Sequence, residues 1–335
     1  MASGELIPVR IGDIEIDVEA VQVAGTEATS GRTAKVAGMT AEAYTRAQDV
    51  IVEVARTTAQ MIDRAAERAA RPDWLEVQFG LRFAASGGVM RSRVLQLTGS
   101  VLVQARQREA ARIALDRCLA DAQASGGVLD AASAIITQCW LLLGERRFDQ
   151  VRLLATEWAD WVEPRMSTAT RAELSVWGWL LLRGSAAAIR DNRPDEADEL
   201  IRFASAAAAV IGPERGSYHS YWTTFGPATV AMKRVENAVV DGKPGLALSL
   251  TAGVPAGLRP TSDNRNRHLL DVTAAHLDLR QHAAAIEVLH QLSAEAPAWL
   301  SRQPMASTLL ARLIARRRVL TPQMRDLAET MRLPL

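Results

Sequence analysis

The sequence predicts a mainly α protein: an array of paired helices over residues 91–335, preceded by a small α+β domain over residues 1–90. Three observations lead there. From about Arg91 onward, turn-forming residues recur every 15 to 25 residues between helical stretches. Within that region the second helix of a pair opens in the same way five times. Before it, apolar residues alternate with polar ones at period 2, the spacing of a half-buried strand rather than a helix.

At the front, Ile7, Val9 and Ile11 alternate with Pro8, Arg10 and Gly12, and beyond Gly12-Asp13 the alternation resumes as Ile14, Ile16 and Val18. Two such runs around a Gly-Asp pair predict a β-hairpin, because Gly supplies the positive φ of a tight II′ turn. Residues Ala24 to Gly38, rich in Gly, Thr and Ser without an apolar period, read as a loop. From Thr40 to about Ala70, residues Ala47, Val50, Ile51, Val54, Thr58, Met61, Ile62 and Ala65 share one helical face, with Thr40 as N-cap and Glu42 in the first turn. Arg71-Pro72 ends that helix, and Leu75, Val77, Phe79, Leu81 and Phe83 alternate with polar or small residues as a third strand. Val94 to Val103 reads equally well as strand or helix.

The repeat rests on five second-helix starts: Arg108, Phe148, Pro194, Pro244 and Ala283. Each is followed, three and six positions on, by small or apolar residues: Ala111 and Ala114, Val151 and Leu154, Ala197 and Leu200, Ala247 and Leu250, Ile286 and Leu289. The starts lie 40, 46, 50 and 39 residues apart, longer than the roughly 34 of a regular tetratricopeptide unit. The expectation is therefore a degenerate, tetratricopeptide-like helical repeat array, five pairs plus a terminal helix or two. Gly144-Glu-Arg-Arg, Asp191-Asn-Arg-Pro and Asp241-Gly-Lys-Pro supply the turns, with Pro194 and Pro244 near the first helical turn, where a missing N–H costs little. A single helix pair cannot bury its apolar face, so stacking on neighbours supplies the core.

Composition narrows the function classes. With 335 residues and 48% hydrophobic content the chain can bury a core without staples. A net charge of +1 creates no field for nucleic acid, so no direct nucleic-acid binding is expected. Of the basic residues only Lys35, Lys233 and Lys243 are lysine. Cys118 and Cys139 lie in apolar helical text without metal or disulfide spacing and are expected as buried thiols. Met1 to Pro8 shows no basic segment followed by an apolar run, and no stretch reaches the length of a membrane span, so a soluble cytoplasmic chain is expected.

The segments VRIGDIEIDVE and RPDWLEVQFGLRFAASGG, flanking the long helix, resemble the trypsin-co-occurring domain of bacterial conflict systems over roughly residues 5–90. The resemblance implies a further closing strand, for which only Val94 to Val103 is available. From about residue 100 to Leu335, the text ELSVWGWLLLRGSAAAIRDNRPDEADELIRFASAAAAVIG, YWTTFGPATVAMKRVENAVVDG and RPTSDNRNRHLLDVTAAHLDLRQHAAAIEVLHQLSAEAPAWL resembles the tetratricopeptide-like sensor region of actinobacterial Xre-type regulators. In those regulators a DNA-binding helix-turn-helix comes first. Here the strand-and-helix segment stands in its place, so the resemblance implies the sensor half without a DNA reader.

Candidate site residues follow from the same reading. Tyr218, Tyr221, Trp222 and Phe225 concentrate aromatic rings in a chain with only 5% aromatics, and rings of this kind anchor peptides or wedge a loop into the core. In tetratricopeptide arrays the first helix of each pair lines the concave surface, which places Lys233, Arg234, Asn237, Asn264, Arg267 and His268 there, suited to a peptide's carboxylates and amides. Trp177, with Leu174 and Leu181, is expected in the core and Trp179 elsewhere. His268, His276 and His282 with Asp271 lack metal-ligand spacing, and Arg316-Arg317-Arg318 is read as the cationic end of a helix. No catalytic residue, metal or cofactor is expected, since catalytic motifs are missing and the ionisable residues fall at helical positions taken as exposed. The leading expectation is a non-enzymatic sensor or adaptor for a peptide or protein partner, the conflict-system resemblance implying a trypsin-like protease or another effector. The alternative is the sensor subunit of a transcriptional regulator that lacks its own DNA-binding domain.

Overall fold

The computed structural model describes residues 9–11, 14–16, 87–104, 106–212, 224–254, 262–301, 303–315 and 319–333. Strands β1 (Val9–Ile11) and β2 (Ile14–Ile16) pair antiparallel, with Val9 opposite Ile16, Arg10 opposite Glu15 and Ile11 opposite Ile14. That is the expected strand pairing. Gly12-Asp13, the 24–38 loop, the 40–70 helix and the 75–83 strand lie outside the described residues.

The described helices run α1 (Gly87–Gln104), α2 (Arg108–Ala124), α3 (Val128–Gly144), α4 (Phe148–Trp161), α5 (Arg171–Arg190), α6 (Pro194–Ile211) and α7 (Pro227–Val240). They continue with α8 (Pro244–Thr251), α9 (Ser262–Asp278), α10 (His282–Glu295), α11 (Pro297–Leu300), α12 (Pro304–Ile314) and α13 (Pro322–Thr330). The ambiguous stretch Val94 to Val103 is helical, inside α1, not the closing strand that the family resemblance implies. Four second helices start where the sequence places them, and the fifth starts one residue earlier, at His282. Arg316-Arg317-Arg318 lies outside the described residues, two positions beyond the end of α12.

One turn geometry joins the helices of all five pairs. Arg106, Arg146, Asn192, Gly242 and Arg280 adopt φ of 61°, 63°, 57°, 68° and 60°. The amide of the following residue then reaches back to a carbonyl five positions earlier: Gln107 to Leu102, Arg147 to Leu142, Arg193 to Ala188, Lys243 to Ala238 and Gln281 to His276, at 2.8–3.0 Å. This is the Schellman closure, which satisfies orphan carbonyls at a helix end and needs a residue in the left-handed region. Glycine holds that position only at Gly242; elsewhere an arginine or asparagine accepts a conformation that L side chains disfavour. Replacing exposed Arg146 by Gly is therefore expected to raise stability by about 0.5–1 kcal/mol, read as a higher urea midpoint at unchanged slope.

Helix starts are equally explicit. Pro occupies the first turn of α6, α7, α8, α11, α12 and α13, where its missing N–H is no loss. At α5 a complete capping box forms: the Glu173 amide donates to Thr170 Oγ1 at 3.2 Å, and the Thr170 amide donates to Glu173 Oε2 at 2.7 Å.

The chain divides into two compact units, Met1–Asp130 with Ser217–Thr223, and Ala131–Gly216 with Thr224–Leu335. In the first unit α1 packs on α2 around Leu102, Ala111, Ala114, Leu115 and Cys118, and Leu115 lies so close to Gly99 that a Cβ there would stand 2.5 Å from its Cδ2. Arg93 Nε reaches Asp130 at 2.8 Å.

In the second unit a stacking rule repeats. Helix α5 packs on α4 and α7, α7 on α6 and α9, and α9 on α8 and α12, so each of these three helices touches the second helix before it and a helix of the following pair or the C-terminal end. Small residues permit the close approach: Ala197, Ala204, Ala207 and Ala208 on α6, Ala247 on α8 and Ala285 on α10 are all buried. The C-terminal core is larger-grained, built from Leu270, Leu277, Leu289, Leu292, Leu300, Leu310 and Met324 among others. These are the properties of an α-helical repeat region.

Candidate functional site

Helices α7 and α9 present largely polar sets at the same spacing on facing sides. On α7 the set is Thr229, Met232, Lys233 and Glu236, and on α9 it is Asn264, Arg267, His268 and Asp271; both follow i, i+3, i+4, i+7, one face of a helix. Because α7 packs directly on α9, the eight side chains line a single pocket. Its free space is close to that of one water molecule. Arg183 and Arg190 of α5, seven residues apart on the neighbouring first helix, bring two more cations to this side.

Glu236 is the electrostatic centre. Lys233 Nζ donates to its Oε2 at 2.5 Å and an Arg190 Nη donates to its Oε1 at 2.7 Å, while another Arg190 Nη donates to the Ala186 carbonyl at 2.8 Å. Burial pushes the Glu236 carboxyl up, but the two cations outweigh it and hold it well below the usual carboxylate range. Asp271 goes the other way: burial, then the neighbouring Glu236 charge, raise it well above an ordinary aspartate against the pull of Lys233, Arg190 and Arg267. Environment thus separates two carboxyls on facing helices into one firmly ionised and one inclined to keep its proton.

Arginine and tryptophan form the adjoining floor. The Arg183 guanidinium lies 5.5 Å from the Trp140 ring centroid and 5.0 Å from that of Trp179, and the Arg267 guanidinium lies 5.2 Å from Trp140. Burial lowers Arg183 to about 10, and its Nε is buried without a hydrogen-bond partner. His268 is 6% exposed, its Nδ1 has no hydrogen-bond partner, and burial followed by the charges of Arg265 and Lys233 lowers it to about 4.

A pH experiment follows from that imidazole. The folded pKa is depressed from an ordinary 6.5, so the contribution of neutral His268 is complete above about pH 6.5 and is lost as pH falls towards 4. Wild-type protein is expected to lose up to about 3 kcal/mol of stability from this group across that window, and His268→Gln should flatten that part of the curve in urea titrations at stepped pH.

The sequence-derived candidates divide cleanly. Lys233, Asn264, Arg267 and His268 line the pocket between α7 and α9. Arg234 does not, being exposed on another face of α7. Asn237 is buried between helices, its Nδ2 donating to Ser185 Oγ at 2.8 Å while that hydroxyl donates to the Ala197 carbonyl at 2.8 Å, so it ties α5, α6 and α7 together instead of facing a partner. Phe225 is a core wedge: 4% exposed, its ring so near Gly178 that a Cβ there would stand 2.1 Å from its Cζ. The neighbouring Thr224 carbonyl accepts from Trp179 Nε1 at 3.0 Å, which places Trp179 in the core beside Trp177. Tyr218, Tyr221 and Trp222 lie outside the described residues.

Sequence reasoning missed Glu236, Arg183, Arg190 and Trp140, and its expectation that ionisable residues sit at exposed positions fails here. The i, i+3, i+4, i+7 stripe on successive first helices, polar at every position but Met232, was the available signal. Among the described residues no group of three or more His, Cys, Asp or Glu is placed to hold a metal, and no helix is long and apolar enough to cross a membrane. The Cys118 and Cys139 thiols are buried and pushed up to about 11 and 12 by that burial, which leaves them poor nucleophiles.

Residues 7–113 match the family model of trypsin-co-occurring domain 1. The matched segment takes in β1, β2, all of α1 and the first turns of α2, so it runs past the residues on which the sequence resemblance rests. No curated protein and no solved structure matches the chain.

Proposed function

We propose that this protein is a non-enzymatic sensor or adaptor: the first helices of its tetratricopeptide-like array bind a peptide or protein partner, and its N-terminal segment, a small α+β domain, passes that event to a second protein. The observation that carries this reading is the pocket between α7 and α9. Four polar residues expected on the partner-facing side of first helices, Lys233, Asn264, Arg267 and His268, meet there with two carboxyls. Polar groups at such density cost stability inside a scaffold unless something uses them. The description of the matched family supports a trypsin-like protease as the second protein.

The test is capture of the tagged full chain from its native cell, followed by mass spectrometry. A specific protein, retained at moderate salt, is the expected result. Recovery of a small molecule with no protein would overturn the adaptor reading.

A further inference from the structure

The charge around the pocket says what kind of partner group it takes. Four cations converge on it, Arg183, Arg190, Lys233 and Arg267, against two carboxyls, Glu236 and Asp271. Lys233 and Arg190 are both spent on Glu236. Arg183 and Arg267 make no ion pair among the described residues; each guanidinium lies over the Trp140 ring, 5.5 Å and 5.2 Å from its centroid. A guanidinium stacked on a ring keeps its in-plane N–H edges free, and that edge is the surface that takes a carboxylate in two parallel hydrogen bonds. His268, nine-tenths buried in the same pocket, adds a ring nitrogen with no hydrogen-bond partner. Asn264, half-buried at the pocket lining, adds an amide.

We propose that this pocket binds a carboxylate of an acidic peptide, with Arg267 stacked on Trp140 as the principal contact and Asn264 and His268 completing it. The inference rests on the partner-binding reading above and names the chemistry of the partner.

Fluorescence anisotropy of labelled hexaglutamate against labelled hexaglutamine, at fixed ionic strength on the full chain, tests it. Hexaglutamate is expected to bind at least about tenfold more tightly, and Arg267→Gln to remove about tenfold of that affinity. Asn264→Ala, on the half-buried edge, should weaken binding with an unchanged melting curve, which keeps the test valid if Arg267→Gln fails to fold. Equal binding of the two peptides, or hexaglutamate binding untouched by both substitutions, would overturn the proposal. Displacement by inorganic phosphate but not by free glutamate would overturn it in favour of a phosphate site. Capture from the native cell with wild type and Asn264→Ala in parallel separates the two readings. A protein captured equally by both sinks the acidic-peptide site alone, whereas capture by neither sinks the adaptor reading.

Discussion

Glu236→Ala is expected to destabilise the fold by about 3–5 kcal/mol, the usual cost of removing one member of a buried ion group. Its side chain is only 15% exposed and its two cationic partners 14% and 28%, so water cannot replace what the carboxylate provides. The loss is asymmetric: without Glu236, Lys233 and Arg190 face each other and Arg183 with no opposing charge save a reluctant Asp271. Glu236→Gln keeps the volume and should recover only a small part. By contrast Asp191→Asn, which breaks the 2.9 Å ion pair of Asp191 with Arg152 on α4, should cost at most about 1 kcal/mol, because Asp191 is 34% exposed. Urea denaturation followed by circular dichroism measures all three, and a loss below about 1 kcal/mol for Glu236→Ala would mean that the group is screened by solvent.

Gly178→Ala should be nearly as damaging. In a helix interior, alanine normally gains up to about 1 kcal/mol over glycine. Here the added methyl would stand 2.1 Å from the Phe225 ring, whose neighbour Thr224 is bonded to Trp179. The ring is buried, 4% exposed, and has little room to withdraw, so overpacking reverses the sign, to a net loss of about 2–3 kcal/mol. Phe225→Leu on the same background should restore part of the loss, and a double-mutant cycle should show strong coupling. Additive losses would mean that the two positions do not share the contact.

These two sites mark the boundary of what local sequence conveys. Helix starts were legible because their causes are local: Pro194 and Pro244 fix the first turn, and the residues ahead of them form the turn. Lys233, Asn264, Arg267 and His268 were legible as a polar set because they fall on first helices, which the tetratricopeptide-like reading places on one surface. Their burial was not, since it depends on α7 meeting α9 and on α5 lying alongside, contacts between residues more than thirty positions apart. For the same reason Asn237 and Phe225 read as candidate anchors. Nothing in the adjacent residues discloses that Ser185 and Gly178 await them on α5.

The uniform turn within each pair divides the chain into places where length is fixed and places where it is free. Helix α3 ends at Gly144 and α4 starts at Phe148, α5 ends at Arg190 and α6 starts at Pro194, α7 ends at Val240 and α8 starts at Pro244. Between pairs the gaps differ: Ala124 to Val128, closed by the same turn at Gly126, then Trp161 to Arg171, Ile211 to Pro227 and Thr251 to Ser262. Changes in chain length within such an array accumulate in the inter-pair links, because one residue added inside a turn would rotate the following helix by about 100° and carry its alanine face out of the stack. The link from Trp161 to Arg171 is accordingly where an inserted fluorophore or tag is expected to leave the flanking helices in register.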